Sequence, residues 1–296
     1  MIHTQIRAFD AVARSGSFSR AAELLSLTQP AVTIQVKALE ETYGVQLLQR
    51  HGRGVQLTEI GQRVFRLTRE MANVEQALHD LLASSDDLQG NQLRLAVDGP
   101  HVVMRLLGRF QTRYPGVALS VAMGNTRFVH DELLEQRADA AILPGIKGHP
   151  AIHARPLWRH TAVLIVPPGH ALASAQRVSF SELGLLDLVR RETGSMTQKK
   201  IDVAFRAAGI KPHYVLELGS REALCEAVAA GLGCGIVWDS EARDSSRWHT
   251  VAIRGEPIES IDHIACLKAE ANRPVLQAFF NTAEELAGNM KGGARA

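Results

Sequence analysis

Three cysteines in 296 residues, Cys225, Cys234 and Cys266, are too few and odd in number for a disulfide framework, and no C-x-x-C pair stands among them. That usage fits a reducing compartment, and a cytoplasmic location is expected. Long apolar runs are also missing. None approaches the roughly 18 residues that a membrane-spanning helix requires, so no membrane partner is expected. The first residues, Met1 to Arg14, break their apolar pattern with Arg7 and Asp10 and lead to no small-residue cleavage site, so they are not expected to be a signal peptide. Charge of one sign is absent too: 33 Lys and Arg face 31 Asp and Glu, a net +2. A global electrostatic footprint for nucleic acid is therefore excluded, and any such binding must be argued from local motifs. Enzyme signatures are missing as well. No G-x-S-x-G, H-E-x-x-H or phosphate loop occurs, and Pro150 between His149 and His153 disfavours a metal-binding helix face. The run GLGCG (Gly231, Gly233, Gly235) has the wrong order for a dinucleotide fingerprint, since a helix precedes it and a strand follows. No catalytic set, metal or cofactor is expected.

What is present begins with the stretch SLTQPAVTIQVKALEETYGVQLLQR, Ser26 to Arg50. Thr28 reads as an N-cap, Pro30 falls in the first turn where its missing N–H costs nothing, and Gly44 closes the helix. At helical spacing Val32, Val36, Leu39 and Tyr43 form an inward stripe. Gln29, Thr33 and Lys37 follow at i, i+4 and i+8 on a polar face, and Ile34 lies opposite the stripe. Upstream, Ile2, Ile6, Phe9, Val12 and Ala13 mark a first helix ending at Gly16, and Ser19 is expected to cap a short second one. This is the order of a helix-turn-helix. Downstream, Val55, Gln56 and Leu57 alternate beside Gly52 and Gly54, which predicts a small hairpin, a wing, carrying Arg50 and Arg53. A helix with short exposed side chains suits a major groove. Gln29 can address adenine, Ile34 or the Thr33 methyl can meet a thymine methyl, and Arg53 can reach a phosphate or a minor groove.

These residues, SGSFSRAAELLSLTQPAVTIQVKALEETYGVQLLQR followed by LTEIGQRV, resemble the N-terminal domain of LysR-type transcriptional regulators. The resemblance implies a winged helix-turn-helix that binds double-stranded promoter DNA, a dimer, with tetramers common, and a C-terminal domain that senses a small molecule. The expected DNA-facing residues are Thr28, Gln29, Pro30, Thr33, Ile34, Lys37, Arg50 and Arg53. Residues 1–57 hold six Lys and Arg against four Asp and Glu, so one such domain binds weakly and several must act together. From Thr58, Ile60, Val64, Leu67, Met71, Val74, Leu78 and Leu81 step by 4, 3, 4, 3, 4, 3, the spacing of a helix that pairs with another. The polar stretch of residues 84–92 reads as a hinge.

Beyond it, short apolar strands alternate with amphipathic helices, which predicts α/β layers with mainly parallel strands. The tail NMKGGARA reads as disordered. The resemblance implies a two-lobed, periplasmic-binding-protein-like effector domain with crossovers near residues 162–167 and 261–267. The expected organisation is a DNA-binding domain at 1–57, linker helix and hinge at 58–90, lobe I at 91–162 plus 263–296, and lobe II at 163–262. Strand-to-helix junctions between lobes would hold the effector: Asp98, Pro100, His101, Asn125, Thr126, Ser195, Thr197, Ser220 and Arg221. Helix N-termini and Arg221 favour an anion, although hydroxyls at such positions also simply cap helices. The runs GNTRFVHDELLEQRADAAI, RETGSMTQKKIDVAFRAAGI and LELGSREALCEAVAAGLG resemble the subgroup associated with 2-aminoethylphosphonate catabolism. Two other readings stand beside this one. The chain is an α/β ligand-binding or enzymatic protein whose N-terminal helices only oligomerise, or a regulator that senses redox through Cys225 and Cys234.

Overall fold

The computed structural model describes residues 2–51, 54–82, 88, 90–146, 148–242 and 246–293. The chain divides into two compact units, residues 1–83 and 84–296.

In the first unit α1 (Ile2–Ser15), α2 (Phe18–Leu25) and α3 (Gln29–Tyr43) close around Phe9, Val12, Ala21, Val32, Val36 and Leu39. Small side chains on α2 let the helices approach closely. Thr28 caps α3 by accepting the Ala31 N–H at 3.4 Å, and Gly44 ends it at φ 63°. Two expectations fail here. The cap of α2 is Ser17, which accepts the Arg20 N–H, whereas Ser19 donates its hydroxyl to Gln29. Tyr43 is 57% exposed and leaves the inward stripe at Leu39, because the chain turns away at Gly44. The hairpin of β1 (Leu48–His51) and β2 (Gly54–Leu57) is antiparallel, with Arg50 opposite Val55. The Glu40 carboxylate accepts the N–H groups of Leu47 and Leu48 at 2.7 and 3.1 Å, fastening α3 to the hairpin. Helix α4 (Glu59–Leu82) packs against α1. Its Gly61 is required, since a Cβ there would sit 2.0 Å from the Leu47 carbonyl oxygen.

The second unit runs β3 (Gln92–Val97), α5 (Pro100–Arg113), β4 (Ala118–Met123), α6 (Thr126–Leu134), β5 (Ala140–Pro144) and β6 (Ile152–Val166). It continues with β7 (Arg177–Val178), α7 (Phe180–Leu183), β8 (Asp187–Arg191), α8 (Met196–Ala207), β9 (His213–Leu218) and α9 (Arg221–Ala229). Then come β10 (Cys234–Trp238), α10 (Asp239–Ala242), β11 (His249–Ile253), β12 (Glu259–Leu267) and α11 (Pro274–Gly293). The strand order is β4-β3-β5-β12-β6-β10-β8-β9, with β11 joined to β6 and β7. The sheet is mixed rather than mainly parallel. β3 runs parallel to β4 and β5, and β8 to β9 and β10, but β12 and β6 are antiparallel to their neighbours. The long strand β6 explains this. It pairs with β12 over Ile152–Thr161 and with β10 over Ala162–Ile165, so one strand passes from one lobe to the other and β12 returns beside it. Separate cores lie on either side, one around Phe110, Trp158 and Phe279, the other around Phe205, Ile236 and Trp238. The C-terminal stretch expected to be disordered is helical through Gly293.

Candidate functional site

On α3, Thr28, Gln29, Pro30, Thr33, Ile34 and Lys37 are all exposed, Ile34 to 65%. The Thr33 hydroxyl donates to the Gln29 carbonyl at 2.9 Å, which leaves its methyl as the group offered outward. Lys37 lies 3.5 Å from Glu41 with both side chains exposed, a weak pairing that a phosphate can displace. Arg50 belongs to β1, and Arg53 lies outside the described residues.

In the second unit a cavity of about 30 Å³ lies where β6 and β12 cross between lobes. Its polar wall is Asp98, His160, Arg221, Ser240, Glu241 and Asp262. Asp98 follows β3 and accepts the Thr126 hydroxyl at 2.6 Å. Arg221 opens α9 and reaches across to the Gly99 backbone, so close that a Cβ on Gly99 would lie 2.1 Å from Nη1. Its Nε is 2.7 Å from Glu241 Oε1, and both residues are 8% exposed. The Trp238 N–H donates to Glu241 Oε2 at 3.1 Å. His160 joins Asp262 at 3.0 Å through Nε2 and Ser240 at 2.9 Å through Nδ1.

Burial dominates the electrostatics. It pushes Glu241 up to about 7 although Arg221 pulls it down, and it raises Asp98 against the Thr126 hydrogen bond and the Arg221 charge. Burial opposes the charged form of His160, but the hydrogen bond and charge of Asp262, with Asp239 and Glu241, raise it above 6.5. The pocket is thus a balance of three carboxylates, a guanidinium and an imidazole.

The expected effector residues separate into groups. Asp98 and Arg221 line the cavity, and Thr126 reaches it only through the hydrogen bond that it donates to Asp98. Asn125 stands apart, donating to Glu192 of the other lobe at 3.3 Å and lying so close that a Cβ on Gly194 would be 2.4 Å from its amide nitrogen. Ser195 and Ser220 accept the Gln198 and Ala223 N–H groups and so cap α8 and α9. Thr197 is buried in the first turn of α8, and Pro100 opens α5. None of these four lines the cavity, and the His101 side chain is not described. Arg221, expected as a positive charge for an anion, is held by Glu241, because a buried guanidinium needs a counter-ion. Sequence reasoning missed His160, Ser240, Glu241 and Asp262. Two lie on the crossing strands, but Trp238-Asp239-Ser240-Glu241 is itself a strand-to-helix junction and was open to the same reasoning.

Cys225 and Cys234 are both buried thiols pushed by burial up to about 11. Little thiolate is present near neutral pH, which disfavours oxidation. Among the described residues no metal-binding cluster occurs and no helix is long and apolar enough to cross a membrane.

A winged helix-turn-helix joined to a two-lobed α/β domain with a polar cavity at the lobe crossing defines a ligand-responsive DNA-binding regulator. Family models agree: "Bacterial regulatory helix-turn-helix protein, lysR family" matches residues 3–62, and "LysR substrate binding domain" matches residues 86–288. The chain belongs to the LysR family of transcriptional regulators. It is 34% identical over 235 residues to the HTH-type transcriptional activator CmpR of Synechocystis sp., covering 79% of this chain and 77% of that protein. A full-length OxyR variant from Pseudomonas aeruginosa superposes with a TM-score of 0.77 at 20% identity, over 97% of this chain and 94% of that one. The regulatory domain of Synechocystis CcmR, solved with 2-PG, superposes with a TM-score of 0.63 at 25% identity, over 68% of this chain and 99% of that domain. The curated relatives are regulators, not enzymes.

Proposed function

We propose that the protein works in the cytoplasm as a homodimer, assembling further to a tetramer, that holds promoter DNA with α3 and the wing and reports a small effector bound where the lobes cross. The observation that carries the effector reading is the buried Arg221 guanidinium on the wall of a polar cavity that also carries Asp98 and Asp262. Such a site suits an acidic ligand that also bears an ammonium group. 2-Aminoethylphosphonate has both, a phosphonate for Arg221 and an ammonium for Asp98 or Asp262. The 2-PG bound by CcmR supplies the comparison of a small phosphorylated acid without the ammonium. At about 30 Å³ the cavity holds little more than water, so binding requires the lobes to part. Support for the DNA face is its composition: exposed and mostly short and uncharged, with the single cation Lys37, on a helix whose other side packs through Val32, Val36 and Leu39.

The test is calorimetry on the full chain with 2-aminoethylphosphonate, 2-phosphoglycolate and a neutral aromatic compound. Heat with the first that is lost in Arg221→Ala supports the reading. Heat with the aromatic alone overturns it and leaves the regulator assignment untouched.

A further inference from the structure

Glu241 sits in the pocket wall, and only its pairing with the buried Arg221 calls for an acid there. Its backbone lies in the four-residue helix α10, and the Trp238 N–H it accepts would be met equally well by an amide oxygen. What requires a carboxylate is Arg221, bound through Nε at 2.7 Å inside the cavity lining. The guanidinium is the group best suited there to grip a ligand's acid, and Glu241 already fills that place.

We propose that Glu241 is a resident counter-ion that holds the anion subsite of the sensor, and that an acidic effector binds by displacing it from Arg221 while a proton moves from solvent onto Glu241. This rests on the reading of the lobe crossing as the effector site and adds the regulation of that site. For one negative charge brought to Arg221 the exchange balances, and a dianion leaves one further charge facing the pocket. A carboxylate leaves the guanidinium, an acid oxygen of the ligand takes its place, and the proton cancels the charge left in a buried position. Without that proton, two like charges would share a site too buried to solvate them.

Of the groups facing Glu241, all but His160 favour the exchange or are neutral to it. Arg221 on α9 is the cation at stake, and losing it raises the affinity of Glu241 for a proton. Asp262 on β12 is a further negative charge and acts the same way, while His160 on β6 opposes it. Asp98, across the cavity, lies near Arg221 and keeps a partial counter-charge there during the exchange. Cys225, one turn along α9, is a neutral thiol.

The consequence can be counted. With Glu241 titrating at about 7, roughly one molecule in eleven has it neutral at about pH 8, and roughly ten in eleven at about pH 6. Binding that needs the neutral form is weakened about tenfold at the higher pH and hardly at all at the lower.

The experiment titrates the full chain with sodium sulfate, a dianion throughout this range, reading Trp fluorescence and heat. Glu241→Gln is expected to bind sulfate roughly tenfold tighter than the natural chain at about pH 8 and with near-equal affinity at about pH 6. Equal affinities at both pH values, or the same advantage at both, overturn the proposal. Repeating the natural-chain titration in buffers of different ionisation heat measures the proton directly, so the result survives if Glu241→Gln folds poorly. Uptake near one proton per sulfate at about pH 8, retained in His160→Gln, supports the exchange; no uptake, or uptake lost in His160→Gln, overturns it. Arg221→Ala separates the two levels. If it binds sulfate as well as the natural chain, the lobe crossing is not the anion site. If it abolishes binding while Glu241→Gln changes nothing, the site stands and the counter-ion role falls.

Discussion

At the scale of single residues, the face we propose for DNA carries short side chains and the pocket we propose for a ligand carries titrating ones. Thr33 has its hydroxyl committed to the helix, so only its methyl remains to discriminate bases. Thr33→Ala is expected to narrow the preference among operator variants by about 1 kcal/mol at one base pair with little loss of overall affinity, measured by fluorescence anisotropy on a panel of promoter fragments. Arg53→Ala should instead weaken all fragments alike. In the pocket, Glu241 and His160 both hold a proton more tightly folded than unfolded. The folded state therefore loses relative stability as pH rises: through Glu241 from the ordinary carboxylate range up to about 7, and through His160 from 6.5 upward. Thermal unfolding should show a melting temperature that falls from about pH 5 to about pH 8, and Glu241→Gln should remove on the order of 2 kcal/mol of that fall. A rise in stability over this range in the natural chain contradicts the assignment.

At the scale of elements, α4 carries two jobs on one heptad. Val64 packs into the core of its own unit, whereas Leu67 and Val74 are 63% and 69% exposed and Leu78 is exposed as well. An exposed apolar row on a helix calls for a partner, and we read that partner as α4 of a second chain. Leu67→Glu combined with Val74→Glu should shift the protein to a monomer in sedimentation velocity and abolish retention of a promoter fragment, because two half-sites need two linked domains. A variant that remains dimeric refutes α4 as the main dimer contact. Gly61→Ala tests the other job. The added carbon meets the Leu47 carbonyl at 2.0 Å, and a loss of roughly 1–3 kcal/mol by urea unfolding is expected.

At the scale of the whole molecule, distant segments are locked by charge as well as by apolar packing. Asp139, after α6, accepts from Arg94 on β3 at 2.6 Å and from Arg273, just before α11, at 3.1 Å. Burial works against its charge, but these guanidiniums hold its carboxyl below the usual range. This ties the C-terminal stretch back to the strand that begins the second unit. Asp139→Ala takes the shared carboxylate from Arg94 and from the buried Arg273, which keeps Glu270 at 3.1 Å, and should cost about 3 kcal/mol by urea unfolding, more than a surface pair. It should not change the sulfate response of the folded fraction, because the network lies apart from the cavity.

Local chemistry in the chain was enough to determine the elements and the class. Thr28, Pro30 and Gly44 bound α3 by capping and backbone preference, Ile34 is marked as outward by helical spacing, and alternating strand and helix patterns define the second unit. These signals act over a few residues, so a one-dimensional reading contains them. The cap at Ser17 and the exposure of Tyr43 were settled by local backbone geometry that spacing alone leaves open. The pocket depended on how distant elements pack. Arg221, Glu241, His160 and Asp262 are separated by as many as 102 residues and meet only because β6 and β12 cross between lobes. From sequence Arg221 is simply a cation at a helix start. Only the tertiary structure decided that it is buried, and burial is what forces a counter-ion on it and lifts the titration of Glu241 to near neutral pH.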